Sequence, residues 1–246
     1  MSKNLLFALS ALILLAGCHK EDESYLNKSC NSGCAVFNIR VGAGENSATP
    51  VSGVKVDLVW QGSKGIFGGG GSSIDVVKGY TDVQGVINAK FKAEGGEFTN
   101  GYFVINVTGP SNYIASSRVL GGIRNPDTTL NTSVHMPFLA HLKIIFKNYD
   151  PTGSGDAFGA MPSYDTYGSE ATPPSFATVD YHNTSFFSGL HPFDSVTYTA
   201  ITAGNQYTHI PVSMWRNGIH VSRMDSLYIP AGATGTYRVD YQHSFQ

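Results

Sequence analysis

The residues best suited to chemistry in this chain form one spaced cluster, one long loop and a scatter of histidines. Asp150, Thr152, Ser154 and Asp156 place an oxygen at every second position around Gly153 and Gly155. Alternating oxygens converge on a hard cation, but a calcium loop closes with an acid at its twelfth position, where Met161 stands. A glycine-loosened turn is the expectation, with no metal assigned. Residues 150–175 lack strand periodicity and carry Tyr164 and Tyr167 beside Asp165 and Glu170. Loops of that length are usually functional or disordered. Tyrosines beside acids suit stacking on a sugar ring or filling a partner's pocket. Asp156, Tyr164, Asp165 and Tyr167 are therefore the candidate recognition residues, with a plain linker or domain packing as the alternative.

Nothing in the remaining motifs points to catalysis. The histidines His135, His141, His182, His191, His209, His220 and His243 are scattered, with no His-Glu-x-x-His and no Gly-x-Ser-x-Gly. His209 and His220 could face one another across neighbouring strands, as could many pairs. Gly62 to Ser73 contains four consecutive glycines, Gly68 to Gly71, yet lacks the Gly-Lys-Ser/Thr ending of a phosphate-binding loop. It reads as a hairpin loop. A glycosidase needs two carboxylates that meet in space, and the spacing singles out no pair. The expectation is a protein with no catalytic residues and no cofactor.

The N-terminus is processing signal. Lys3 precedes an apolar run from Leu5 to Leu15, interrupted by Ser10. The run is shorter than the roughly 20 residues that span a bilayer and has the length of a signal-peptide core. It ends in Leu15-Ala16-Gly17-Cys18, which resembles the bacterial lipobox. The resemblance implies removal of residues 1–17 and lipidation of Cys18, and two or three acyl chains make a firm anchor. His19-Lys20-Glu21-Asp22-Glu23 resembles the acidic export signal of Bacteroidota surface lipoproteins. That implies an outer-membrane location facing the exterior, with periplasm-facing attachment as the alternative.

With Cys18 assigned to lipid, Cys30 and Cys34 remain as an even pair in an oxidising compartment. Gly33 permits the tight turn between them, and two thiols without further ligands fall short of a metal site, so a local disulfide is expected. Residues 18–33 are polar and aperiodic, a flexible tether of roughly 50 Å when extended. Charged residues make up only 14% and the net charge is −2, so no basic field is present to attract nucleic acid.

Beyond the tether the chain alternates with period two, the signature of half-buried strands. Val54, Val56, Leu58 and Trp60 alternate with Lys55, Asp57 and Val59; Ile87, Ala89 and Phe91 alternate with Asn88, Lys90 and Lys92. Runs near 35–41, 76–81, 103–107, 113–119 and 130–136 bring the count to about seven, as a sandwich requires. Pro50-Val51-Ser52-Gly53-Val54 and Gly79-Tyr80-Thr81-Asp82-Val83-Gln84-Gly85 resemble the carboxypeptidase-regulatory-like domain, a transthyretin-related β-sandwich. Val54 stands where that family usually has alanine, and its loop at 61–73 is longer than usual. The resemblance covers roughly 34–137 and implies a scaffold, not a chemistry. Residues 138–246 read as a second β-sandwich, with strands near Leu142–Phe146, Val196–Ile201, Tyr207–Met214, Ile219–Ile229 and Tyr237–Tyr241, and no close sequence repeat of the first.

The fold class expected is all-β: two transthyretin-like or immunoglobulin-like sandwiches after a lipidated tether. Asp194-Ser195-Val196, Asp225-Ser226-Leu227 and Asp127-Thr128-Thr129 resemble the Asp-Ser/Thr-aliphatic sites that Bacteroidota O-glycosylate. The function expected is a non-enzymatic surface lipoprotein recognising an outer-membrane protein partner. A fimbrillin-like pilus or adhesin subunit and a glycan-binding lipoprotein are the alternatives.

Overall fold

The structure is a computed structural model that describes residues 30, 32–62, 73–92, 98–125, 127–171, 176–177, 186–188 and 191–242. The signal peptide, Cys18, most of the tether, the four-glycine loop, His182 and His243 lie outside these residues. The chain is all-β. Its strands are β1 (Cys34–Ala43), β2 (Thr49–Pro50), β3 (Lys55–Gly62), β4 (Ser73–Tyr80), β5 (Val86–Lys92), β6 (Gly101–Thr108), β7 (Ser116–Gly121), β8 (Thr129–His135) and β9 (Phe138–Tyr149). They continue as β10 (Ala157–Ala160), β11 (Ser163–Tyr164), β12 (Glu170–Ala171), β13 (Phe176–Ala177), β14 (Phe186–Ser188), β15 (Phe193–Gly204), β16 (Gln206–Arg216), β17 (Ile219–Ile229) and β18 (Thr234–Asp240). Each periodic run read from the sequence overlaps one of these strands, that at 113–119 only from Ser116 onward.

In the first sandwich β1 lies between β5, antiparallel, and β8, parallel. The facing sheet runs β7-β6-β3-β4. Alternation turns Phe37, Ile39 and Val41 of β1 inward onto Val56, Leu58 and Trp60 of β3 and Phe103, Ile105 and Val107 of β6. Full burial of side chains this size is worth roughly 1.5–3 kcal/mol each, which is what clamps the sheets together. In the second sandwich β9 lies between β15, antiparallel, and β18, parallel. Its facing sheet runs β17-β16-β10-β14. Leu142, Ile144 and Phe146 meet Phe158, Ile210 and Val212 in its core.

The two topologies are the same. In chain order β1, β3, β4, β5, β6, β7 and β8 correspond to β9, β10, β14, β15, β16, β17 and β18, with every pairing and every orientation preserved. The shared topology leaves no close repeat in the sequence, because different side chains can satisfy the same strand pairings.

The segments carrying the family resemblance meet in the first sandwich. Thr81 Oγ1 accepts the Val54 N–H at 3.0 Å and donates to the Val51 carbonyl at 2.7 Å. Asp82 Oδ1 accepts the N–H groups of Gln84 and Val86 at 2.9 and 2.8 Å. Gly85 closes that turn at φ +73°, where a Cβ would sit 2.6 Å from the Val41 carbonyl oxygen.

Candidate functional site

The expected recognition loop is largely structure. Three short strands, β10, β11 and β12, occupy it, so the expectation of an unstructured loop is corrected. β10 pairs with β16, β11 adds beside it, and β12 crosses to pair with β7 of the first sandwich. β10 shows no alternation because Ala157, Phe158, Gly159 and Ala160 are all buried.

Asp156 is buried and accepts from every side. Oδ2 takes the Thr152 N–H at 2.7 Å, the Gly153 N–H at 3.2 Å and the Thr152 hydroxyl at 3.1 Å; Oδ1 takes the Asn217 N–H at 2.9 Å. The backbone bonds from Thr152 and Asn217 hold its pKa down to about 2. Its oxygens are thus occupied by donors, the opposite of what a cation needs. No group of three potential metal ligands occurs among the described residues. What resembled half a calcium loop is a clasp on the tip of the β16–β17 hairpin.

Tyr164, expected as an exposed ring, is buried with Ile114, Ala203 and Leu139 in a small third core between the sandwiches. Burial raises its phenol pKa to about 12. Tyr167 packs edge-on against His135, ring centroids 4.8 Å apart. Asp165 remains exposed, with His209 Nε2 3.5 Å from its Oδ2. Of the four proposed recognition residues, Asp156 and Tyr164 therefore face inward. Of the linking segment's apolar side chains, Tyr164 lies in this small core, Phe158 in the core of the second sandwich, and Met161 is 68% exposed.

The joint has a polar part as well. His135 is buried at the end of β8; its ring bonds Ser47 Oγ through Nδ1 at 2.8 Å, and its backbone N–H donates to Ser169 Oγ at 2.7 Å. Desolvation lowers its pKa to about 4, while the Gln206 side chain and the Asp165 charge pull weakly upward. Tyr113 stacks on Phe138 across the same joint at 4.9 Å.

Cys30 and Cys34 form a disulfide, with Cα atoms 5.7 Å apart. Asp127 Oδ1 accepts the N–H groups of Gly33 and Cys34 at 2.8 and 3.2 Å, docking this turn beside the start of β8. In the proposed modification motifs Ser195 and Ser226 are exposed, whereas the Thr128 hydroxyl donates to the Asn125 carbonyl at 2.6 Å. His209 and His220 do not face one another: their opposite residues are Ser226 and Trp215.

Five of the exposed large apolar side chains, Tyr207, Ile219, Val221, Met224 and Tyr228, lie on the β16–β17 hairpin. Tyr207 and Tyr228 pair edge to face, 50% and 47% exposed, and Met224 is 66% exposed. Trp215 stacks on His220 with centroids 4.1 Å apart on the same outer face. Asn217 and Gly218 make the two-residue turn with φ of 51° and 76°, the left-handed pair a tight hairpin requires. At the far end Arg223 and Tyr237 both donate to Asp225, tying β17 to β18. Among the described residues β17 pairs with β16 alone.

A concavity of about 500 Å³ lies between β7 and β8. Leu120, Ile123 and Leu130 line it with Arg118 and Arg124.

No family model matches the chain, and no curated protein is similar to it in sequence. Among solved structures, the shaft pilin SpaA of Lactobacillus rhamnosus GG aligns over 85% of this chain and 97% of its own, at 11% identity and TM-score 0.29. The major pilin SpaD of Corynebacterium diphtheriae aligns over 78% and 64%, at 12% identity and TM-score 0.29. A fimbrial protein of Bacteroides ovatus ATCC 8483 aligns over 84% and 51%, at 8% identity and TM-score 0.31.

Proposed function

We propose that this chain is a non-enzymatic structural subunit of a cell-surface assembly, of the pilus or adhesin kind, held to the outer membrane through lipid on Cys18. The observation that carries this reading is the way its two equivalent sandwiches are joined. β12 of one half adds to the edge of β7 in the other, over a joint packed with Tyr113, Phe138 and Tyr164. Two sandwiches joined by edge pairing suit a stalk; His135 bonds Ser47 and Ser169 at the joint, and Asp156 clasps the hairpin tip within the second sandwich. Anchoring concentrates the stalk near its partners, so weak contacts suffice.

The test is immunogold electron microscopy of intact cells and of material sheared from them. Label along extended surface structures supports a structural subunit. Label confined to the membrane, with a stoichiometric outer-membrane protein recovered in a mild-detergent pull-down, replaces it with the accessory-subunit reading. Glycan capture is the second reading, favoured by the exposed rings Tyr207 and Tyr228 on one flat face; retention on a polysaccharide column would support it.

A further inference from the structure

The repeated topology pairs each edge of the first sandwich with an edge of the second. β7 and β17 are equivalent strands, each the last in the row that also holds β6 or β16. Their outer edges are treated differently. β12, from the sandwich that follows, covers β7 at Ser116 and Ser117. β17 carries no such strand among the described residues.

β17 is long and unbulged, and its guard against pairing is the inward-facing pair Arg223 and Asp225. Natural edges are shortened, bulged, or set with lysine or proline. β4, the opposite edge of the first sandwich, has Lys78 and a register shift between Leu58 and Val59 of its partner β3. β17 runs 11 residues without a proline, a lysine or a register shift. Its charged pair, Arg223 and Asp225, is drawn to Tyr237 on β18. Because the hairpin turn has two residues, the flanking pair Arg216 and Ile219 exchange both hydrogen bonds, and so does every second pair after it. The bond from Asn205 N–H to the Ile229 carbonyl at 2.7 Å keeps to that phase. His220, Ser222, Met224, Ser226 and Tyr228 therefore turn their backbone N–H and C=O groups to the open side. Five consecutive outward positions along roughly 30 Å make a template for another strand.

We propose that the β17 edge receives a strand from the first sandwich of a second copy of this chain, as β7 receives β12 within the chain. The occupant is a strand of this same chain because the equivalent edge already holds one, the two-residue β12, at Ser116 and Ser117. The contact is heterologous, edge of the second sandwich to body of the first, so it propagates head to tail instead of closing as a dimer. This rests on the structural-subunit reading and names its joining surface.

The test places a photo-cross-linking benzoylphenylalanine at position 222 of the full-length protein in its own membrane. The expected result is a ladder extending past the dimer, with cross-links mapping to residues 34–135 of another copy. Cross-links from β17 to β17, a ladder that ends at the dimer, cross-links only to other proteins, or none at all would each overturn the proposal. Ser222→Pro supplies a second measurement: it removes an outward N–H while leaving the bonds to β16 in place. The ladder formed with a chemical cross-linker should disappear while the melting temperature holds; a ladder that persists overturns the proposal. If gold label decorates surface fibres but β17 makes no cross-links, the structural reading stands and only this joining surface fails.

Discussion

The backbone N–H of Asn217 donates to the carboxylate of Asp156 at 2.9 Å, joining residues 61 positions apart. Through this bond the segment after β9 holds the tip of the hairpin whose outer strand is β17. The same carboxylate gathers Thr152 and Gly153, so one buried charge organises both a turn and a hairpin.

Asp156→Ala should cost on the order of 3 kcal/mol, since several charge-assisted bonds vanish and buried N–H groups lose their acceptor. Thermal melts would register the loss, and hydrogen exchange should rise first at Asn217. The sign with pH follows from the depressed pKa of about 2 against 3.8 in the unfolded chain. The contribution is whole above pH 3.8 and drains away as the pH falls through 2. A variant as stable as the parent would show that the clasp is incidental.

His135 makes the joint between the sandwiches sensitive to mild acid. Its pKa of about 4 lies below the usual 6.5, so the unfolded chain takes up a proton that the folded one refuses. Stability should fall as pH drops from 6.5 toward 4. His135→Asn, which keeps a polar atom toward Ser47, should flatten the slope across that window in urea titrations. An unchanged slope would assign the acid sensitivity to other groups.

Thr81→Val should destabilise the first sandwich by about 2 kcal/mol, because it strands the Val54 N–H and the Val51 carbonyl in the interior. Tryptophan fluorescence from Trp60, buried in that sandwich, reports its unfolding. Little change in the midpoint would mean the turn tolerates the lost hydroxyl.

Cys18→Ser should move the protein from the membrane fraction to the soluble one, with the sandwiches still folded by circular dichroism. Membrane association that survives the substitution would refute lipid anchoring.

The all-β class and the longer strands were legible because alternation is local: β5 turns Ile87, Ala89 and Phe91 inward whatever lies opposite. The lipobox at Cys18 and the Cys30–Cys34 spacing are likewise contiguous features. β10 was illegible because a segment buried on both faces has no alternation to read. The burial of Tyr164 and Asp156 was equally hidden, since it depends on β16 and Asn217 arriving from far along the chain. Ile219–Ile229 read as a strand from sequence, but its place at the open end of a sheet did not. An edge is defined by the neighbour a strand lacks, and pairing between distant segments is decided only when the whole chain has folded.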